Sequence, residues 1–314
     1  VRTKMYLCHS EILMPKDTKS LGNNKAPACE SRGFVRKKQK VCILTHLPVI
    51  KIEDTKQVFL QIILTSKSSV PYMELRDKLF TEEQYIKQLA KYYCRIEKLN
   101  SMIEQSEKEG DEISPDLYGR LFDCRVYTIV TMYSMGENLE FIKSNYISTI
   151  NVLEKCWTPY GYYVQMLWLL SIGIMLEYDN NVIHKLRVLI DMKEVKDRVY
   201  DVLLNYCFPE RKEMADCVFD AMPYRAILEV SDLAKTNKTQ ATKRLEKYLK
   251  REWYRGHSDC AWHDDHKYGL IHDGYWCFES GALVKVLGLD DSSLKGLPYY
   301  PYDMVHWNEN KILC

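Results

Sequence analysis

The 11 cysteines include no pair at C-x-x-C spacing. That absence removes the usual frame of a zinc knuckle and of a dithiol redox motif. Their odd number and scattered positions suit a reducing cytoplasm better than a disulfide framework. No run reaches the roughly 18 apolar residues that a membrane-spanning helix needs. The longest apolar stretch, Val164 to Leu176, is too short and contains Gln165. A secretory signal pattern is absent from the N-terminus, so a cytoplasmic location is expected. The glycine-rich phosphate loops G-x-x-x-x-G-K-[ST] and G-x-G-x-x-G are missing, as is the nucleophile elbow G-x-S-x-G. After Met73, no stretch combines period-two alternation with hairpin turn residues.

What is present is an ordinary globular composition, 46% apolar and 28% charged over 314 residues, enough for one large core or two modest ones. The net charge of +1 conceals an asymmetry. Residues 1–72 hold 13 Lys+Arg against 5 Asp+Glu, a net +8, whereas residues 73–314 hold 31 against 38, a net −7. An acidic body disfavours non-specific nucleic-acid binding and favours a basic partner. Residues 16–40 mix Gly, Asn, Pro and basic residues with few large apolar groups, a composition that cannot bury a core. A short apolar run follows at Val58 to Leu64 with no visible partner. Residues 1–72 are therefore expected to form an irregular, disordered extension, or a mis-assigned start to a chain that opens at Met73; a genuine accessory segment is the other reading.

From Met73 the period is helical. Tyr85, Leu89, Tyr92, Ile96, Leu99 and Ile103 form one stripe, and Thr81 with Gln84 offers a capping box at its start. Gly110, Ser114 and Pro115 interrupt the pattern. Further stripes run Phe122–Tyr133, Tyr146–Trp157 and Tyr163–Ile174, the last apolar nearly all round and so expected to be central. The turn cluster Asp179-Asn180-Asn181 divides the body into halves 73–178 and 179–314. Helices follow over Val182–Ile190, over Val195–Tyr206 as far as Pro209, and through Ala241, Leu245, Tyr248 and Leu249. The expected fold is all-α: a multi-helix array in two halves that share a core.

Three features bear on chemistry. His257, Asp259, His263, Asp264, Asp265, His266, His272 and Asp273 fall within 17 residues. Imidazoles and carboxylates at such spacing suit a metal-dependent hydrolase. No H-E-x-x-H helix or cysteine set accompanies them, and an exposed acidic loop that contacts a basic partner is the favoured reading, beside a plain solvated loop. Glu279 shares a helical face with Trp276 and Leu283, so a buried, hydrogen-bonded anchor is favoured over a catalytic acid; Tyr299, Tyr300 and His272 are the nearby donors in sequence. The basic helix carrying Lys243, Arg244, Lys247, Lys250, Arg251 and Arg255 reads as a solvated face rather than a nucleic-acid surface. Asp290-Asp291-Ser292-Ser293 reads as a cap for a short helical turn.

The C-terminal segment from Trp253 to Asp303 carries, in order, Gly274-Tyr275-Trp276, Phe278, Glu279, Asp290 to Leu294, and Tyr299 to Asp303. In that order and spacing it resembles the C-terminal half of bacterial PoNi proteins, the immunity partners of PoNe polymorphic DNase toxins. Arg76 to Leu99, Tyr133 to Gly136 and Leu167 to Glu177 resemble the family's N-terminal half, so the likeness spans Met73 to Trp307 and leaves residues 1–72 unmatched. It implies an immunity protein that binds a DNase toxin and occludes its DNA-binding or active site, with no catalytic residues, no cofactor and no metal. The partner would be a basic toxin, with no direct nucleic-acid or membrane contact. Charge nominates Asp259, Asp264, Asp265, Asp273, Asp290 and Asp291 as toxin contacts, while Trp276, Glu279, Tyr300 and Asp303 are expected to hold the fold. A helical scaffold with an unrelated partner is the remaining alternative.

Overall fold

A computed structural model describes residues 74–159, 161–211, 214–219 and 221–308. The expectation for residues 1–72 lies outside them. Among the described residues there are eleven α-helices and no strand.

The first helix, α1 (Glu82–Glu109), starts at the capping box read from the sequence: Gln84 N–H donates to Thr81 Oγ1 at 3.3 Å, and Thr81 N–H donates to Gln84 Oε1 at 2.9 Å. All six stripe residues from Tyr85 to Ile103 are buried. The pattern breakers prove to be caps. Gly110 ends α1 in the left-handed conformation, Ser114 accepts from Asp116 N–H, and Pro115 takes the first position of α2 (Pro115–Met135), where its missing N–H costs nothing. α2 ends at Gly136, and Asn138 caps α3 (Leu139–Cys156) by accepting from Glu140 N–H.

α4 (Tyr163–Met175) is buried along its whole length, as its all-round apolar sequence requires. Gly173 is the point of closest approach in its packing: a Cβ there would overlap Ile183 Cδ1 and Tyr146 Oη. α5 (Asn180–Met192) begins on Asp179, whose carboxylate accepts from Asn181 N–H, and α6 (Arg198–Cys207) begins on Asp197. α7 (Ala221–Ala234) and α8 (Lys238–Arg251) form an adjacent pair, followed by the single turn α9 (Trp253–Gly256). The sequence reading assigns no helix to 221–234. Pro223 lies in its first turn, where a helix tolerates proline.

α10 (Phe278–Leu287) packs directly on α4, with α11 (Tyr302–Val305) against both. Gly281 makes this contact possible, since Met175, Pro301 and Val305 leave no space for a side chain. Lys285 Nζ donates to Met175 O at 2.8 Å, closing the C-terminal end of α4. α4 and α10 therefore form the axis of a single core to which both halves contribute.

Candidate functional site

The His/Asp-rich segment leaves α9 at His257 and returns to the core at His272. Its base is a stack of rings. Trp253, fully buried, lies over Trp262 at 5.7 Å between centroids, and Tyr254 stacks on Tyr299 at 5.4 Å and on His263 at 4.1 Å. On this platform the backbone turns sharply. Asp264 adopts φ +67°, and its carboxylate accepts from Tyr254 Oη at 2.8 Å and pairs with Lys267 at 3.0 Å. Those two donors hold the Asp264 carboxyl down at about 2. A 3-10 helix, Asp265–Tyr268, follows and ends at Gly269, φ +62°. The segment thus forms a knuckle with two left-handed residues at its corners, and Tyr268 and Leu270 stand 56% and 68% exposed at its crest.

The imidazoles are spread through this architecture. His257 bonds Trp253 O at 2.7 Å and Tyr224 Oη at 3.1 Å, His266 bonds Tyr275 Oη at 2.8 Å, and His272 bonds Asp77 at 3.1 Å. Among the described residues, no group of three or more His, Cys, Asp or Glu is placed to hold a metal ion.

At the root of the knuckle, two expected contact acids are inside the protein or tied to its C-terminal turn. Asp273 is buried, and its carboxylate accepts from Tyr92 Oη at 2.9 Å, Gln88 Nε2 at 3.3 Å and Thr131 Oγ1 at 2.7 Å. Burial pushes it up to about 6 despite these donors. Asp291 is buried as well, accepting from Tyr300 Oη at 2.6 Å and bonding His306 at 3.0 Å. Neither matches the expectation of an exposed acid. Asp259 and Asp290 are exposed, and Asp264 and Asp265 half-buried. Asp290 also caps, accepting from Ser292 N–H at 3.0 Å at the start of the 3-10 helix Ser292–Leu294.

Ser134 ties the root to α2. Its hydroxyl lies 2.6 Å from Asp273 O and accepts from Trp276 Nε1 at 2.8 Å, while its carbonyl accepts the N–H groups of Arg76 and Asp77, each at 3.0 Å. Arg76 continues to Asp303 at 2.8 Å, joining the first and last parts of the described body. Burial pushes Asp77 up, but the hydrogen bond and charge of His272 outweigh it and leave that carboxyl below its ordinary value.

Glu279 is buried. Its Oε1 accepts from Trp253 Nε1 at 2.8 Å and from the Cys277 thiol at 3.1 Å, while Oε2 has no hydrogen-bond partner. The expected donors Tyr299, Tyr300 and His272 are not the ones used. The indole of Trp253 on α9 reaches Glu279 on α10 from 26 residues away, which sequence proximity could not show. Burial pushes Glu279 up to about 6.

The basic helix α8 commits much of its charge internally. Arg244 bonds Glu229 at 2.6 Å and Glu252 at 2.8 Å, and Lys238 donates to Gly288 O. One surface escaped the sequence reading. At the α1–α2 tip, Glu104, Glu107, Glu109, Asp111, Glu112 and Asp116 are all exposed, with Lys108 the one cation between Glu104 and Asp116. Charge counted in short windows along the sequence would have found it.

Residues 76–188 match the family described as PoNe immunity protein (PoNi), N-terminal, and residues 195–304 match PoNe immunity proteins (PoNi), C-terminal. The chain belongs to the PoNi family. The fold is also similar to the crystal structure of protein PA2201 from Pseudomonas aeruginosa, with a TM-score of 0.61 at 14% identity, covering 84% of this chain and 99% of that one. No curated protein matches the chain. In PoNi terms, the polar network at the knuckle root joins the two matched regions: Asp77, Gln88, Tyr92, Thr131 and Ser134 come from the N-terminal region, and His272, Asp273 and Trp276 from the C-terminal one.

Proposed function

We propose that this PoNi chain is the antidote to a bacterial DNase toxin, which it binds as a folded protein and silences by covering the DNA-binding or active site. Membership of the PoNe immunity family across both halves carries this reading. The net −7 of residues 73–314 supports it, because a protein that grips phosphate presents basic residues and would be drawn to an acidic body. The action is steric and electrostatic, without catalysis, cofactor or bound metal, and takes place in the cytoplasm. Asp259, Asp264, Asp265 and Asp290 remain contact candidates; Asp273 and Asp291 act within the fold. The hydrolase alternative is tested by metal analysis of the purified protein, where a stoichiometric transition metal would revive it.

The test of charge steering falls on Asp259 and Asp265, which flank Asp264 on the segment. Reversing Asp259 and Asp265 to lysine should slow association with the DNase by about 3–10-fold at low salt and flatten the salt dependence of the rate, since exposed charges steer encounter and salt screens them. The dissociation rate should change less. Stopped-flow association at two salt concentrations reads both. Unchanged rates, with a large loss for Glu107→Lys/Glu109→Lys instead, would move the docking face to the α1–α2 tip.

A further inference from the structure

Building on the immunity reading, we infer that the crest of the knuckle, Tyr268 and Leu270, is the apolar anchor that enters a pocket on the toxin. Binding energy at protein interfaces concentrates in a few large side chains that become fully desolvated, with tyrosine among the most frequent, while surrounding charges set rate and choice of partner. The crest offers one such residue, Tyr268, with the exposed Leu270 beside it. Tyr268 and Leu270 are two of its most exposed apolar groups, Asp259 and Asp265 lie on the same segment, and Lys267 is held against Asp264.

The crest is also presented on a fixed support. Asp264 in the left-handed conformation is held through both its backbone N–H and its carboxylate by Tyr254 Oη, and the stacked pairs Trp253–Trp262 and Tyr254–Tyr299, with Tyr275 edge-on to Tyr254, underlie the turn. At its root, Asp273 and His272 are fastened to α1, α2 and Asp77. A loop held in one conformation before binding loses less entropy when it docks. The crest itself stands in solvent: Tyr268 and Leu270 are 56% and 68% exposed, and a side chain added at Gly269 would meet nothing within 4 Å. The partner that fits is a basic protein with an apolar recess beside its DNA-binding surface.

The probe is the catalytically silenced DNase domain encoded by the adjacent reading frame, titrated against the full chain by calorimetry and by surface-based kinetics. Tyr268→Ala/Leu270→Ala should weaken binding about 100-fold, mostly through faster dissociation, while the variant stays folded by circular dichroism. Tyr254→Phe, which removes the hydroxyl that holds Asp264, should weaken binding about 3–10-fold through lost preorganisation. Affinity of the double variant within twofold of wild type would overturn the anchor while leaving the immunity reading intact. Failure of the wild-type chain to bind the DNase at about 10 µM, a free energy of roughly −7 kcal/mol, would overturn that reading and the anchor with it. A wild-type dimer that the double substitution dissolves in sedimentation would show that a second copy covers the crest, and would also overturn the proposal.

Discussion

Replacing Gly274 with alanine should destabilise the protein by about 3–5 kcal/mol, one of the largest effects available from adding a single methyl group. Gly274 has φ +107°, and a Cβ there would overlap Ser134 Oγ and lie 2.6 Å from Trp276 Nε1. The methyl therefore strikes the hydroxyl that links Asp273 and Trp276 to α2, so the damage includes buried hydrogen bonds as well as overpacking. Gly269→Ala is the control. Its φ is also positive, at +62°, but nothing lies within 4 Å, so it should cost only the backbone strain of roughly 1 kcal/mol. Urea denaturation of the two variants side by side separates packing from conformation. Equal losses would show that the Ser134 junction is looser than its geometry indicates.

That junction also shows what the sequence could and could not disclose. The stripe from Tyr85 to Ile103, the Thr81–Gln84 box and the central α4 were legible because helical periodicity and capping are local. α7 was not assigned, although its sequence carries Tyr224, Ile227 and Val230, all buried. The motif residues Trp276, Glu279, Tyr300 and Asp303 bond Ser134, Trp253, Asp291 and Arg76 respectively. The partners were beyond reach, since they lie 142, 26, 9 and 227 residues away, and only tertiary packing selects them. The acids illustrate the converse limit. Asp265 and Asp273 look alike in a charged loop, yet the chain leaves one half-buried on the knuckle and carries the other into a cage of Tyr92, Gln88 and Thr131.

Stability should depend on Glu279 with a sign opposite to that of an ion-paired carboxylate. Its folded value of about 6 stands above the ordinary 4.5, because burial penalises the charge more than the donors compensate. Between those values the native state holds a proton that the unfolded chain has released. Its contribution is therefore fully present below pH 4.5 and is lost as pH rises through 6, to the extent of about 2 kcal/mol. Asp273, raised to about 6 from 3.8, acts in the same direction. Glu279→Gln removes the titration while keeping an acceptor for Trp253 and Cys277 and a polar group beside the Tyr248 hydroxyl. Relative to wild type, the glutamine variant should gain about 2 kcal/mol between pH 4 and pH 7.5, ending level with it or above. Glu279→Ala strands the buried indole N–H and opens a cavity, so it should lose about 2–4 kcal/mol at pH 7.5, and more at pH 4. Urea midpoints for the three proteins at both pH values measure these differences. A gap between wild type and glutamine that ignores pH would mean that Glu279 titrates as a solvated acid. An alanine variant of normal stability that no longer binds the DNase would place Glu279 at the interface instead of in the core.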